Sequence, residues 1–238
     1  MPQQFIYEEE FKIRASEIGA DKKATLAAIC SLLQEVAGNH ALQLEFDITD
    51  LQQQKMTWVL HRLNIQIHRF PDWRETITIK TWPSGGDGLR AHRDFLLLDE
   101  SGHTVGKSLS YWLILDMDKR RPIRIPKDIL QNVPRDTEHV LPVTDPAFEE
   151  IGNSEHSNSF EVRKTDLDLN EHVNNVRYIE WALSSMPEDK KLSKIDIKFI
   201  AEAVLGDNII AEYTSTPKER FQIKRRSDEA VLALAHAT

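Results

Sequence analysis

Two stretches of this chain lie over one another without a gap. "FKIRASEIGADKKATLAAICSL", starting at Phe11, and "FEVRKTDLDLNEHVNNVRYIEW", starting at Phe160, keep a constant offset of 149 residues, with Val162 on Ile13, Arg163 on Arg14, Leu167 on Ile18 and Val176 on Ala27. Farther along, "IKFIAEAVLGDNIIAEYT" (197–214) fits over "IQIHRFPDWRETITIKTW" (65–82) at an offset of 132, placing Ile197 on Ile65, Phe199 on Ile67 and Asp207 on Glu75. Repetition at these spacings restricts the fold to two copies of one supersecondary unit, an internal duplication that mimics a dimer. The 238 residues leave about 120 for each copy, enough to bury a core.

Each copy reads as a strand, a long helix and then further strands. Residues 5–14 alternate as a strand, and 22–37 carry Leu26, Ile29, Leu33 and Val36 at helical spacing, with Gly38 as the predicted C-cap. Strand-like runs follow at 57–69, 75–82, 89–99 and 104–117, divided by turn signals such as "PSGGDG" and "DESGH". From 127 to 155 periodicity fades and Pro134, Pro142 and Pro146 accumulate just after Pro126, which predicts a linker over the surface. The expected class is α+β, two antiparallel sheets each wrapped around a long helix, with units at 1–126 and 156–238 joined by the linker 127–155.

The two copies differ in polar chemistry. Asp168, Asn170 and His172 stand where the first copy has Gly19, Asp21 and Lys23, and Glu202 stands where it has Phe70. Asp and Asn ahead of a helix are ordinary N-caps, and a histidine there is often merely exposed. One cap suffices, however, and the three side chains alternate as in an extended segment entering a helix N-terminus. Backbone N–H groups there, near Val173 and Asn174, suit an oxyanion. Strand alternation puts Glu202 beside Ile200 and Val204 on a face that turns apolar, predicting a partly buried carboxylate with a raised pKa, a candidate base. Val173, Val176, Ile179 and Leu183 continue as core, and Tyr178 and Trp181 are assigned to the helix–sheet interface rather than to a substrate channel.

Composition excludes several classes. With 40% hydrophobic and 29% charged residues the chain is ordinary and globular, and its longest apolar runs, "FLLL" and "WLIL", are far too short to span a membrane. The N-terminus shows neither a signal-peptide apolar region nor a transit-like sequence, so a cytoplasmic location is expected. Cys30 is the single cysteine and aligns with core position Ile179, and the histidines lack ligand spacing, so neither a metal nor a cofactor is predicted. A net charge of -8 argues against nucleic acid as a partner, although basic clusters lie at 119–127 and 218–226.

"DLDLNEHVNNVRYIEW" resembles the signature of the acyl-ACP thioesterases, the plant fatty acyl thioesterases and their bacterial relatives. The resemblance extends to "TWVLHRLNIQIHRFPDW", "TWPSGGDG" with the following "RDFLLLDESG", "YWLILDMDKRRPIRIP" and "KFIAEAVLGD". It implies a tandem of two hotdog folds and hydrolysis of the thioester that joins a fatty acyl chain to the phosphopantetheine arm of acyl carrier protein (ACP). Carried over by motif, the family's catalytic Asp, Asn and His fall on Asp168, Asn170 and His172, and its catalytic Glu on Glu202. Plant members often place Cys after that Glu; this chain has Ala203, so a thiol nucleophile is not expected. With no transit-like sequence at the start of these residues, the bacterial type is the expectation.

The mechanism so implied is attack by water, with Glu202 and His172 taking its proton; the order of the two bases stays open. Asn170 and the amides of Val173 and Asn174 would polarise the carbonyl, and Asp168 would hold Asn170 or His172. Acidic ACP needs a positive docking patch, for which Lys119, Arg120, Arg121, Arg124 and Lys127 form one candidate and Lys218, Arg220, Lys224, Arg225 and Arg226 another. The acyl chain is expected in the first repeat near Leu26, Ile29, Leu33 or Trp58, its length open. Alternatives are an acyl-CoA thioesterase, a hotdog dehydratase, which the match across both halves opposes, or a non-catalytic acyl- or carrier-binding module. Both monomer and homodimer are compatible with a duplicated chain.

Overall fold

A computed structural model of the chain describes residues 5–131, 133 and 137–237. It divides into two compact units, Met1–Thr144 and Asp145–Thr238, the division falling inside the stretch expected as a linker. Of the prolines assigned to that linker, Pro134 lies outside the described residues.

The first unit contains β1 (Tyr7–Lys12), α1 (Leu26–Gln43), α2 (Ile48–Gln53), β2 (Met56–Ile67), β3 (Thr76–Gly86), β4 (Arg90–Leu98), β5 (Thr104–Asp116), β6 (Arg121–Ile123) and α3 (Lys127–Gln131). Its strands are antiparallel in the order β1-β3-β4-β5-β2, with β6 on β5. Thr25 starts α1 by accepting the Ala28 amide at 3.1 Å, and Leu26, Ile29, Leu33 and Val36 are buried, as their spacing requires. Gly38 does not end the helix, contrary to expectation. The next turn buries Ala37, His40 and Ala41, and His40 Nδ1 meets the buried Arg93 guanidinium at 2.9 Å, so tertiary contact carries α1 on to Gln43. Burial, with Arg93 beside it, lowers the His40 pKa to about 3.

The front of the predicted linker belongs to this unit. Ile125 and Ile129 join a core cluster with Phe46, Leu51 and Ile114. Beyond α3, Leu141 packs on Leu109 and Tyr111, while the buried Asp94 carboxylate meets His139 Nδ1 and accepts the Val140 amide, each at 2.7 Å.

The second unit contains β7 (His156–Glu161), α4 (Asn175–Ser184), β8 (Lys194–Phe199), β9 (Asn208–Thr214), β10 (Arg220–Arg225) and β11 (Val231–His236), antiparallel in the order β8-β11-β10-β9-β7. Asn174 caps α4 by accepting the Val176 amide at 2.9 Å. The helix lies against β7, β9 and β10, with Trp181 stacked on Phe160 at 6.0 Å and Tyr178 edge-on to Phe199 at 5.8 Å. Both aromatics therefore occupy the helix–sheet interface. Each unit is a hotdog, an antiparallel sheet around a helix.

Hydrogen bonds repeat at both sequence offsets. Ile13 N–H donates to Glu75 C=O and Val162 N–H to Asp207 C=O, each at 2.9 Å; Arg74 N–H returns to Ile13 at 3.0 Å and Gly206 N–H to Val162 at 3.1 Å. Ala24 N–H meets Pro71 C=O at 2.8 Å, and Val173 N–H meets Ala203 C=O at 3.0 Å. Lys22 (φ 62°) and Glu171 (φ 61°) occupy the same left-handed turn position. The weak sequence repeat is thus a repeat of backbone geometry.

Candidate active site

The segment ahead of α4 is anchored by Asp166. Its carboxylate accepts the Arg163 amide at 2.8 Å, with the Arg163 and Arg177 guanidinium groups at 3.3 and 3.7 Å. Burial alone would raise the Asp166 pKa, but the hydrogen bonds and charge of Arg163, with the charge of Arg177, outweigh it and hold the group below the ordinary carboxylate value.

Residues 168–172 then form a reversing turn, not the extended segment that alternation suggested. Asp168 N–H donates to His172 C=O at 2.8 Å, Glu171 N–H to Asp168 C=O at 3.1 Å, and Asn170 N–H to Asp168 Oδ1 at 2.8 Å. The carboxylate closes a local Asx-type turn and left-handed Glu171 reverses the chain, so Leu167 pairs with Val173 in a bridge. Asp168 is thereby fixed as an organiser of the loop that carries Asn170 and His172.

Glu202 also differs from its predicted setting. β8 stops at Phe199, where Ile200 N–H and Ala201 N–H both donate to Leu232 C=O, at 2.8 and 3.2 Å. The chain leaves the sheet there, Ile200 and Val204 are exposed, and Glu202 sits half-buried in the loop beyond the strand. Asp207 closes this loop by accepting the Val204 amide at 3.0 Å. The result brings Glu202 Oε2 to 3.5 Å from His172 Nδ1; the side chains are 35% and 24% exposed, while the Nδ1 atom itself is buried.

The two amides expected to hold an oxyanion are already engaged. Val173 N–H donates to Ala203 C=O at 3.0 Å and Asn174 N–H to Asp166 C=O at 2.9 Å, because this segment is stitched to its neighbours before the helix begins. The helix itself begins at Asn175, one residue beyond the two that the motif points to, because Asn174 serves as the cap.

The basic clusters differ in how far their charge is already paired. Lys224 lies between Glu212 and Glu229 at 3.2 Å each, Arg225 lies 3.3 Å from Asp207 and 3.4 Å from Asp228, and Arg220 lies 3.2 Å from Glu149. Arg226 donates to Ser159 at 2.8 Å. Lys224 and Arg225, predicted as docking cations, are therefore neutralised by their own unit. Lys119 pairs with Asp116 at 3.1 Å and Arg120 is exposed, whereas Arg121, Arg124 and Lys127 are exposed with no side-chain ion pair among the described residues. Cys30 is fully buried in α1, and burial pushes its thiol up to about 12. Among the described residues no cluster of His, Cys, Asp and Glu could hold a metal ion.

Comparison with known proteins gives a consistent set of relatives. Residues 4–133 match the family model described as "Acyl-ACP thioesterase N-terminal domain", and residues 149–236 match "Acyl-ACP thioesterase C-terminal domain". The chain is similar to the Arabidopsis thaliana oleoyl-acyl carrier protein thioesterase 2, with 33% identity over 242 residues covering 90% of this chain and 65% of that protein. It is 29% identical to the Cuphea hookeriana palmitoyl-acyl carrier protein thioesterase, over 83% of this chain and 52% of that one. The chain thus spans less than two thirds of the length of these curated relatives. Among solved structures it resembles an acyl-ACP thioesterase from Bacteroides thetaiotaomicron, with a TM-score of 0.87, 23% identity and coverage of 98% and 96% of the two chains. It likewise resembles the 12:0-ACP thioesterase of Umbellularia californica, with a TM-score of 0.86, 20% identity and the same coverages. At those identities the structures speak for the fold.

Proposed function

This chain belongs to the acyl-ACP thioesterase family, and from that premise we propose that it hydrolyses fatty acyl-ACP to free fatty acid and carrier protein. The observation that carries the reading is the approach of Glu202 Oε2 to His172 Nδ1 at 3.5 Å, in the repeat that alone holds this pair.

In the proposed reaction a water oxygen attacks the thioester carbon while its proton passes to the Glu202–His172 pair. The carbonyl oxygen takes up the negative charge and is stabilised by the Asn170 carboxamide. Collapse breaks the C–S bond, and the thiolate of the phosphopantetheine arm leaves and takes back the proton. Asp168 acts through the turn that presents Asn170 and His172. Water is the attacker consistent with the chemistry at hand, since the only thiol is Cys30, buried in the other unit.

The acyl chain is assigned to the first unit, near α1 and the half-buried Trp58, whose indole N–H donates to Phe46 C=O at 2.9 Å. Docking of ACP is assigned to Arg120, Arg121 and Arg124 with Lys127, since Arg121, Arg124 and Lys127 leave their charge uncompensated by ion pairs among the described residues. A cytoplasmic location and a monomeric or homodimeric state belong to the same reading, to be checked by cell fractionation and light scattering. No helix among the described residues is long and apolar enough to cross a membrane.

The deciding experiment follows free thiol from a panel of medium- to long-chain acyl-ACP thioesters, with the matching acyl-CoA thioesters alongside. Release from the carrier substrates supports the reading and yields the chain-length preference. Faster release from CoA would move the assignment to an acyl-CoA thioesterase, and ACP binding without release would make the protein a carrier-binding module.

A further inference from the structure

The loop that carries Glu202 is held by a side chain that the reaction itself does not require. Tyr178, on the first turns of α4, is 2% exposed, and its hydroxyl reaches both peptides flanking Glu202. It accepts the Ala203 amide at 2.9 Å and donates to the Ala201 carbonyl at 3.4 Å. Arg225 Nη2 donates to the carbonyl of Glu202 at 3.0 Å, while the same guanidinium lies against Asp207, the residue that closes the loop. Thus the three consecutive residues 201–203 are each gripped through the main chain, and the Glu202 carboxylate is left projecting towards His172.

The first unit provides an internal control. There the same loop is built without the hydroxyl clamp: Tyr178 corresponds to Ile29, Ala203 to Pro71, which has no N–H, and Glu202 to Phe70. The Val173–Ala203 backbone bond is nevertheless reproduced as Ala24–Pro71, so the loop folds without a phenol. An ion pair to the acid of this corner, Glu75 in the first unit and Asp207 in the second, is also kept, with the cation supplied from a different position. In the first unit Arg69 precedes the Phe70 position and bonds Glu75 at 2.6 Å and Asp99 at 3.4 Å. In the second unit the cation is Arg225, which follows Lys224 as Asp99 follows Leu98, and Lys224 pairs with Ile210 as Leu98 pairs with Thr78. An ion pair thus stands at this corner in both units, whereas the hydroxyl clamp accompanies only Glu202.

We propose that Tyr178 is a positioning residue, whose hydroxyl fixes the two peptides around Glu202 and so sets the approach of the carboxylate to His172. The proposal rests on the reading of Glu202 and His172 as the acid–base pair. It predicts a particular division of labour: Arg225 holds the corner as a structural ion pair, and Tyr178 sets the last few tenths of an ångström on which proton transfer depends.

The test uses the full chain and Tyr178→Phe, which keeps the ring and its packing against Trp181 and Phe199 and removes only the oxygen. The expected result is a folded protein of wild-type circular dichroism, with kcat for acyl-ACP lowered about tenfold and KM within about twofold of wild type. In a Glu202→Gln background the same Tyr178→Phe change is expected to have no further effect on the residual rate, because the group it positions is already disabled. A merely structural tyrosine would lower both rates by the same factor, and that result, or an unchanged kcat in the single variant, would overturn the proposal.

A second measurement does not depend on turnover. Hydrogen exchange of the Ala203 amide should be slow in the wild type and faster in Tyr178→Phe, while the Val173 amide stays protected in both. If the wild type releases no thiol from any carrier thioester, the reaction assigned above is wrong. Unchanged exchange at Ala203 would instead remove the clamp, whatever the reaction.

Discussion

The amide of Val173 donates to the carbonyl of Ala203 at 3.0 Å, joining the residues that immediately follow His172 and Glu202. A backbone bond one residue away from each side chain sets the separation of the two ends without using either functional group. The corresponding Ala24–Pro71 bond, at 2.8 Å, serves a corner that holds Lys23 and Phe70, so the geometry belongs to the scaffold and the chemistry to two side chains placed on it.

Removing either member of the pair separates turnover from folding. Glu202→Gln and His172→Ala should each lower kcat by roughly 100-fold or more while leaving the melting temperature within a few degrees of wild type. Both side chains are partly exposed and neither fills the core. Near-normal turnover in both folded variants, measured by thiol release, would remove the acid–base assignment.

Charge reversal distinguishes the basic clusters. Arg121→Glu with Arg124→Glu should raise KM for acyl-ACP several-fold at low salt and flatten its salt dependence, with little change in kcat. Arg225→Glu should act differently, loosening the corner with Asp207 and Glu202 and lowering the melting temperature. Steady-state kinetics at low and high salt, paired with thermal melts, provide the comparison.

Asp166 links stability to pH. Its folded pKa lies below the ordinary carboxylate value of about 4, so its contribution is present above that unfolded value and is lost as pH falls through the folded one. The melting-temperature gap between wild type and Asp166→Asn should be widest near about pH 7 and narrow towards about pH 3. A gap that stays constant over that range would show that the carboxylate charge is not what anchors the turn.

Gly38 is helical and exposed, and a Cβ at that position would meet no atom within 4 Å, so Gly38→Ala should raise stability by about 0.5–1 kcal/mol. Had Gly38 been a left-handed cap, the same change would destabilise, and urea unfolding distinguishes the two signs.

Cys30 offers a check on the nucleophile. Cys30→Ala should retain wild-type kcat and cost about 1 kcal/mol of stability through a small core cavity, and thiol-blocking reagents should leave the native enzyme active. Loss of turnover in the folded variant would return a thiol to the mechanism.

Sequence pattern alone determined much of this protein. The offsets of 149 and 132 matched the repeated hydrogen bonds, the apolar spacing of Leu26, Ile29 and Leu33 matched the buried face of α1, and the contrast between Glu202 and Phe70 singled out the repeat that carries the polar chemistry. These are local or periodic properties, written one residue after another, because burial on a helix or strand recurs with its geometric period. Tertiary structure alone decided that the Val173 and Asn174 amides are taken, that Lys224 and Arg225 are neutralised and that α1 runs past Gly38. Each of those outcomes depends on which distant group arrives to satisfy a donor or a charge: Ala203 for Val173, Asp207 for Arg225, Arg93 for His40. Hydrogen bonds and ion pairs form with the partner that the fold delivers, and no period in the sequence records its identity.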